Sequence, residues 1–288
     1  MRDLSGKTAV VTGGASGIGK ALVERFVREG MRVIIADVEA QALDAAVEGL
    51  RRSGAEVTGV VTDVTRYQSI QELEQRAVEA YGPVHVLCNN AGVGAHEDVP
   101  LWDLPLSDWR WTFNVNVWGV IHGIKAFVPG MLAHGEAGHV INTSSGNGGL
   151  ILLPFTPIYS TSKSAVSALT EVLHFQLSQM GAKIRASVLY PGPNVVATNI
   201  FTAVRNRSAE YTREIPQATP PITLEGLREM FGGKLEITQP AEVAEYAMEG
   251  IRSDRFFLLP PNERTDEGIR QRADAILRRC DPQPPSFL

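Results

Sequence analysis

Residues Lys7–Gly30 read K-T-A-V-V-T-G-G-A-S-G-I-G-K-A-L-V-E-R-F-V-R-E-G, and this stretch decides the fold. Lys7–Thr12 is a short apolar, β-branched run, the pattern of a buried strand. Ile18, Leu22, Phe26 and Val27 then recur at helical spacing until Gly30 stops the pattern. A glycine-rich turn, Gly13–Gly19, therefore joins a strand to a helix N-terminus. Such a turn brings backbone N–H groups and the positive end of the helix dipole up to a pyrophosphate, with Gly13, Ser16, Gly17, Ile18 and Gly19 around it. The next strand, Arg32–Ala36, ends at Asp37, about twenty residues beyond the glycines. A carboxylate there accepts hydrogen bonds from ribose hydroxyls and repels a 2′-phosphate. Neither Ser16 nor Val38 offers such a phosphate a cation, so the pattern favours NAD over NADP.

Strands and helices continue to alternate, which argues for a parallel sheet covered on both faces. Strands are expected at Val57–Val61, Val84–Cys88, His139–Thr143 and Lys183–Leu189. Helices are expected near Gly17–Glu29, Glu39–Ser53, Tyr67–Tyr81, Asp108–His134 and Ile158–Met180, with Ser107 as N-cap of the fourth. Phe256–Leu259 reads as a last strand and Thr265–Arg279 as a helix striped with Ile269, Ala273 and Leu277. The tail Asp281–Leu288 is proline-rich.

Tyr159 and Lys163 lie four apart in Y-S-T-S-K, so on a helix they share a face. A phenol beside an ammonium can exchange a proton near neutral pH if its pKa falls by about three units, roughly 4 kcal/mol. A neighbouring cation supplies part of that shift. Ser145 precedes the tyrosine at the end of an expected strand.

These motifs together resemble the short-chain dehydrogenase/reductase family in its shorter, non-extended form. T-G-G-A-S-G-I-G (Thr12–Gly19) is similar to its T-G-x-x-x-G-x-G motif. Asp63-Val64 follows the third strand, where the family contacts adenine. N-N-A-G (Asn89–Gly92, with Asn90, Ala91 and Gly92 at the cofactor) follows the fourth. N-V-W-G (Asn116–Gly119), I-N-T-S-S (Ile141–Ser145), Y-S-T-S-K and Pro191-Gly192 follow in the family's order, so the match runs from about Lys7 to Gly192. The resemblance implies one Rossmann-type domain over 1–288, a doubly wound parallel sheet with helices on both faces and a substrate lid insertion at 193–236, followed by a C-terminal helix and tail at 262–288. It implies that Tyr159 is the general acid/base, that Lys163 binds the nicotinamide ribose and depresses the tyrosine pKa, that Ser145 holds the substrate oxygen, and that Asn116 holds a water leading from Lys163.

Two departures stand out. The family separates serine and tyrosine by thirteen residues. Here that position is Gly146, so Ser145 is assigned in preference to Ser144, with one extra residue in the loop Gly146–Pro157. The threonine usually found four residues after the glycine of P-G is displaced to Thr198, which is carried as a cofactor residue on weaker grounds.

Pro193–Gly233 contains four prolines together with Ile200, Phe201, Tyr211, Ile215, Ile222, Leu224, Leu227, Met230 and Phe231. Read as a flap over an apolar ligand, it implies an aromatic, terpenoid or steroid-like secondary alcohol or ketone, with Val93, Gly94, His96 and the loop Leu152–Pro157 lining the pocket. Trp102, Trp109, Trp111 and Trp118 read as core or subunit packing. The resemblance implies a homodimer or homotetramer through the fourth and fifth long helices, with Ile121, Ile124, Phe127 and Val128 facing either a partner or the sheet.

Composition agrees with an enzyme of this kind. The chain has 288 residues, 44% of them hydrophobic and 20% charged, with a net charge of −5. That balance does not suggest nucleic acid. No apolar run reads as a membrane span, the start leaves no room for a signal peptide, and two cysteines do not suggest a disulfide framework, so a cytoplasmic location is expected. The six histidines are scattered and no metal is expected. The reading is an NAD-dependent alcohol dehydrogenase or ketoreductase. Its rivals are a nucleotide-sugar epimerase or dehydratase, opposed by the glycine spacing, and a non-catalytic redox sensor, opposed by the intact Ser145, Tyr159 and Lys163.

Overall fold

The computed structural model describes residues 1, 3–94, 97, 99–215, 223–230 and 232–285. Its strands are β1 (Thr8–Thr12), β2 (Arg32–Asp37), β3 (Val57–Val61), β4 (Val84–Asn89), β5 (Gly138–Thr143), β6 (Ile184–Leu189), β7 (Val195–Val196), β8 (Ile237–Thr238) and β9 (Phe257–Leu258). Its helices are α1 (Gly17–Arg28), α2 (Ala40–Arg52), α3 (Tyr67–Tyr81), α4 (Leu106–Phe113), α5 (Gly119–Ala133), α6 (Pro157–Gln179), α7 (Leu224–Met230), α8 (Pro240–Ser253) and α9 (Glu263–Arg278). Seven strands form one sheet in the order β3-β2-β1-β4-β5-β6-β9, every neighbouring pair parallel. β7 and β8 make a separate parallel pair.

Strands buried on both faces carry continuous apolar runs, as in V-I-I-A of β2 and V-L-C of β4. On one face α1, α2 and α8 bury Leu22, Phe26, Leu43, Val47, Val243 and Met248. On the other, α3, α5 and α6 bury Ile70, Leu73, Phe127, Met131, Leu173 and Leu177. The chain winds outward through β2 and β3 and then returns to place β4 on the other side of β1. The crevice at the carboxyl ends of β1 and β4 is thus the point where strand order reverses, the usual position of a ligand in open α/β sheets.

Two expectations need correction, and one open alternative is decided. The helix expected over Asp108–His134 is divided. α4 and α5 meet through a wide turn at Asn114–Trp118, where the Gly119 amide bonds to the Asn114 carbonyl five residues back. Ser107 is not the N-cap of α4. It lies inside the helix, which begins at Leu106, and its hydroxyl and amide both bond to Glu214. Phe127 and Val128 are buried in the sheet-facing core, with Ile124 packed against it, so Phe127 and Val128 are closed to a partner. The 28-residue stretch Leu106–Ala133 is also long enough to cross a membrane and contains an 18-residue window with a mean hydropathy of 1.2, although no single apolar run in the sequence suggested it. Here its apolar side chains Trp111, Phe127 and Met131 are spent on the protein interior.

Close approach of α5 to the sheet depends on Gly123. A Cβ at this position would lie 2.0 Å from Asn89 Oδ1. Asn89 cannot easily yield, because its amide donates to Asn142 Oδ1 at 2.8 Å and Asn142 in turn donates to Thr170 Oγ1 at 3.0 Å. Gly123→Ala is expected to lower the unfolding free energy by about 1–3 kcal/mol, measured by urea unfolding.

Candidate active site

The glycine turn after β1 packs too tightly for side chains. A Cβ on Gly13 would stand 2.9 Å from Ala91 Cα, and one on Gly19 would stand 2.0 Å from the Gly13 carbonyl oxygen. Gly13 and Gly17 also hold φ of 63° and 52°, a region glycine occupies without strain. Ser16 precedes the first turn of α1 in extended conformation and its side chain makes no capping bond. The turn is pinned to β4 by Thr12, whose hydroxyl accepts from the Asn90 amide at 3.0 Å and the Ala91 amide at 3.1 Å. Asn90 Nδ2 donates back to the Thr12 carbonyl at 3.1 Å. The result is a cradle of bare backbone at a helix N-terminus, which fits a pyrophosphate.

Asp37 ends β2 and is 8% exposed. It accepts from the Ala15 amide at 3.0 Å and the Glu39 amide at 3.1 Å. Its carboxylate therefore shapes the glycine turn as well as facing the crevice. Asp63 is engaged in its own turn, accepting from the Thr65 amide and hydroxyl at 2.9 and 2.7 Å. Val64 is buried against Gly119. Ile18 packs on the α1 side of the core.

Tyr159 and Lys163 stand one turn apart at the start of α6, as their spacing requires. The ammonium lies 5.8 Å from the centre of the Tyr159 ring and donates to the Thr143 carbonyl at 2.9 Å. Lys163 is 3% exposed, and burial pushes its pKa down to about 8. The Ser145 side chain acts on the Tyr159 phenol and draws its pKa down. Ser144 points elsewhere, its hydroxyl donating to the Lys163 carbonyl at 2.8 Å and meeting Ser167 Oγ at 2.8 Å. The extra residue between Ser145 and Tyr159 is absorbed by a wide turn at Gly146–Leu150, in which the Ile151 amide bonds to the Gly146 carbonyl at 3.0 Å. Asn147 braces this turn through Oδ1, which accepts from Ser160 Oγ at 2.7 Å.

Asn116 sits inside the wide turn between α4 and α5 and is fully buried. Its Oδ1 accepts from the Val93 amide at 2.8 Å, and its Nδ2 donates to the Val93 carbonyl and Ser162 Oγ, both at 3.0 Å. A Cβ on Gly92 would meet both Lys163 Nζ at 3.3 Å and Asn116 Oδ1 at 3.4 Å, so Gly92 keeps the approach between them open.

The expected depression of the tyrosine pKa by Lys163 is not what these side chains produce. Burial is the largest influence on Tyr159 and pushes its pKa up, and the charge of Glu97 adds to this. Ser145 acts the other way. The Lys163 ammonium donates to the Thr143 carbonyl.

After β6, Gly192 donates to the Tyr246 hydroxyl at 3.2 Å, and the Pro191-Gly192 segment continues through a cis Gly192–Pro193 bond into β7. The lengthened segment brings Thr198 against Gly17, not toward the catalytic side chains. Ile200 lies beside Gly94, just past N-N-A-G. Tyr211 is buried against α4, its hydroxyl accepting from Asn114 Nδ2 at 2.9 Å. Phe201, Leu224 and Leu227 are half-buried, while Ile215 is exposed. His96, Ile222 and Phe231 lie outside the described residues, as does the side chain of Met230. Of the tryptophans, only Trp111 is fully buried, whereas Trp102 and Trp118 are exposed.

Sequence reasoning missed Glu97 and Asp108. Glu97 accepts from the Ile158 amide at 2.6 Å and the Tyr159 amide at 3.0 Å, satisfying two donors at the N-terminus of α6. It is remote in sequence from the helix it caps, so no local motif marks it. Asp108, 1% exposed on α4, pairs with Arg207 at 2.5 Å and Arg213 at 3.0 Å and ties the segment after β7 to this helix. Burial pushes the Glu97 carboxyl up to about 7, the backbone bonds pull it back, and the Asp108 charge reinforces the rise. A carboxyl with a raised folded-state pKa contributes most below its ordinary value of 4.5, and that contribution is lost as pH rises through about 7. The stability of the native protein relative to a Glu97→Gln variant is therefore expected to fall across this window and to be flat outside it, as read by urea unfolding at either end.

The chain is similar to known proteins over most of its length. The short chain dehydrogenase family model matches residues 7–209. A 1-deoxy-11-beta-hydroxypentalenate dehydrogenase from Streptomyces avermitilis is 38% identical over 76% of this chain and 80% of its own length. Glucose 1-dehydrogenase 2 from Bacillus subtilis is 34% identical over 75% of this chain and 82% of its own. A short chain dehydrogenase/reductase from Burkholderia phymatum, solved in complex with NAD, superposes with a TM-score of 0.90 at 38% identity over 100% of both chains. On the strength of the family model and these matches, the chain belongs to the short-chain dehydrogenase/reductase family.

Proposed function

We propose that the protein is an NAD-dependent oxidoreductase acting on a bulky, apolar secondary alcohol or its ketone, with Tyr159 as general acid/base. The observation that carries this reading is the Tyr159 ring standing 5.8 Å from the ammonium of a buried Lys163, with the Ser145 side chain acting on the phenol. The cradle of Gly13–Gly19, Asp37 and the N-N-A-G loop would hold NAD, in keeping with the NAD complex of the Burkholderia phymatum relative. Bound NAD supplies the acceptor for hydrogen and electrons leaving the carbinol carbon.

The protein's own residues do the rest. Tyr159 takes the hydroxyl proton in oxidation and returns it in reduction. Ser145 donates to the substrate oxygen and fixes its position, which is where orientation lowers the barrier. Lys163 would hold the nicotinamide ribose, and a proton leaving Tyr159 would pass by way of Lys163 to a water held by Asn116; the side chains of both residues flank Gly92. With burial and Glu97 holding the phenol pKa high, the tyrosine is a better acid than base, and alcohol oxidation is expected to favour alkaline pH.

The preference for an apolar substrate rests on Ile200 beside Gly94, just past N-N-A-G, and on Leu152 and Phe155, exposed in the loop leading into α6. The segment from residue 193 would close over them as a lid. The relative named for a hydroxypentalenate supports this class, whereas the relative named for glucose sets the contrast to be tested. Exposed Trp118, Val172 and Phe175, on or beside α5 and α6, suit self-association as a dimer or tetramer.

The test is the appearance of reduced nicotinamide with NAD across secondary alcohols graded from glucose and small aliphatics to aromatic and steroidal compounds. The bulky alcohols should react best. Faster turnover of glucose would refute the apolar pocket. Tyr159→Phe is expected to lower kcat by about a hundred- to ten-thousandfold while NAD affinity stays within a few-fold. Loss of NAD binding in that variant would remove the acid/base role.

A further inference from the structure

The segment after β7 runs from the glycine turn to the start of α2. It begins at Thr198 against Gly17, beside the pyrophosphate cradle. Further along, Arg205 reaches Glu39 at the start of α2, with Nη2–Oε1 at 2.5 Å and Nε–Oε2 at 3.2 Å. Asn206 Nδ2 donates to the same carboxylate at 2.8 Å. The Glu39 amide donates to Asp37 at 3.1 Å, so the ion pair stands next to the carboxylate that faces the adenosine ribose. Glu39 does not use its side chain to cap α2. Its carboxyl is held below the ordinary range, first by the hydrogen bond from Arg205, so the pair is ionised at neutral pH.

A guanidinium is the side chain best suited to grip a phosphate, through two parallel N–H bonds. Arg205 is positioned for such a grip independently of Glu39, because its Nη1 donates to the Thr202 carbonyl at 3.0 Å and Thr202 Oγ1 at 3.1 Å. Its partner occupies both remaining donor directions. Arg66, at the same end of the crevice, is likewise engaged, by Asp63 at 3.4 Å and Glu210 at 3.2 Å.

We propose that Glu39 is a second determinant of cofactor choice, acting by occupying Arg205 and so withholding from a 2′-phosphate the cation that would otherwise bind it. Asp37 repels the phosphate, and Glu39 removes its partner. This rests on the reading that Asp37 faces the adenosine ribose, and the test separates the two. NAD and NADP affinities are measured by isothermal titration calorimetry for the native protein and for Glu39→Gln, Asp37→Ser, Asp37→Ser/Glu39→Gln and Asp37→Ser/Glu39→Gln/Arg205→Met. Adding Glu39→Gln to Asp37→Ser should improve the NADP-to-NAD affinity ratio by about tenfold, and adding Arg205→Met should abolish that gain. An unchanged ratio on removing Glu39, or a gain that survives without Arg205, would overturn the proposal. Should Asp37→Ser leave the native ratio unaltered, the ribose reading fails. The Glu39→Gln single variant then still decides between a gain, as proposed, and none, which sinks the proposal.

Discussion

The Thr12 hydroxyl is the junction on which the site depends. It receives two amides from the loop after β4 and donates to the Cys88 carbonyl at 3.4 Å, locking the carboxyl ends of the two central strands together. Those ends can come so close only because Gly13 and Gly19 carry no side chains. From this junction the cradle extends one way, through Asp37 and Ala15, and the catalytic grouping extends the other, through N-N-A-G to Val93 and Asn116. A single hydroxyl thus sets the distance between the place where a dinucleotide would lie and the place where a proton would move.

The catalytic face of α6 is held from outside its own sequence. The N-terminal amides at Ile158 and Tyr159 end on Glu97, the Lys163 ammonium ends on Thr143 and the Lys163 carbonyl ends on Ser144. Two separate segments, the one at Glu97 and the end of β5 at Thr143 and Ser144, therefore fix the rotation and depth of the helix, leaving the tyrosine little freedom apart from its hydroxyl rotor. The electrostatics oppose the chemistry in part. Glu97 stabilises the helix end yet disfavours phenolate, while Ser145 pulls toward it. This trade between a firmly seated residue and an easily ionised one is common where stability and activity compete.

Much of this was legible in the chain. The strand–turn–helix of Lys7–Gly30 and the boundaries of α3 and β3 follow from periodicity and glycine placement, because a buried parallel sheet leaves continuous apolar runs that little else imitates. Ser145 was distinguishable from Ser144 by spacing, and the turn at Gly146–Leu150 supplies the physical reason for its extra residue. The illegible parts share one cause. The break at Asn116 keeps the apolar period intact on either side, Ser107 looks like a cap until Glu214 claims it, and Glu97, Asp108 and Arg205 act on partners far along the chain. Pattern reading sees neighbours within a turn or two, whereas these contacts exist only after the sheet has assembled.

The wide turn between α4 and α5 has a consequence for how this stretch can vary. One additional residue in a helical turn rotates everything beyond it by about 100°. That rotation lets α4 present Trp111 and Asp108 to the segment after β7, while α5 presents Phe127 and Met131 to the sheet, within one continuous rod. Removing a single residue from 114–118 would leave both helices well formed and every side chain chemically acceptable. It would nonetheless turn one of them to the wrong neighbour. Length thus carries information at this place that composition does not, and a substitution table would never reveal it.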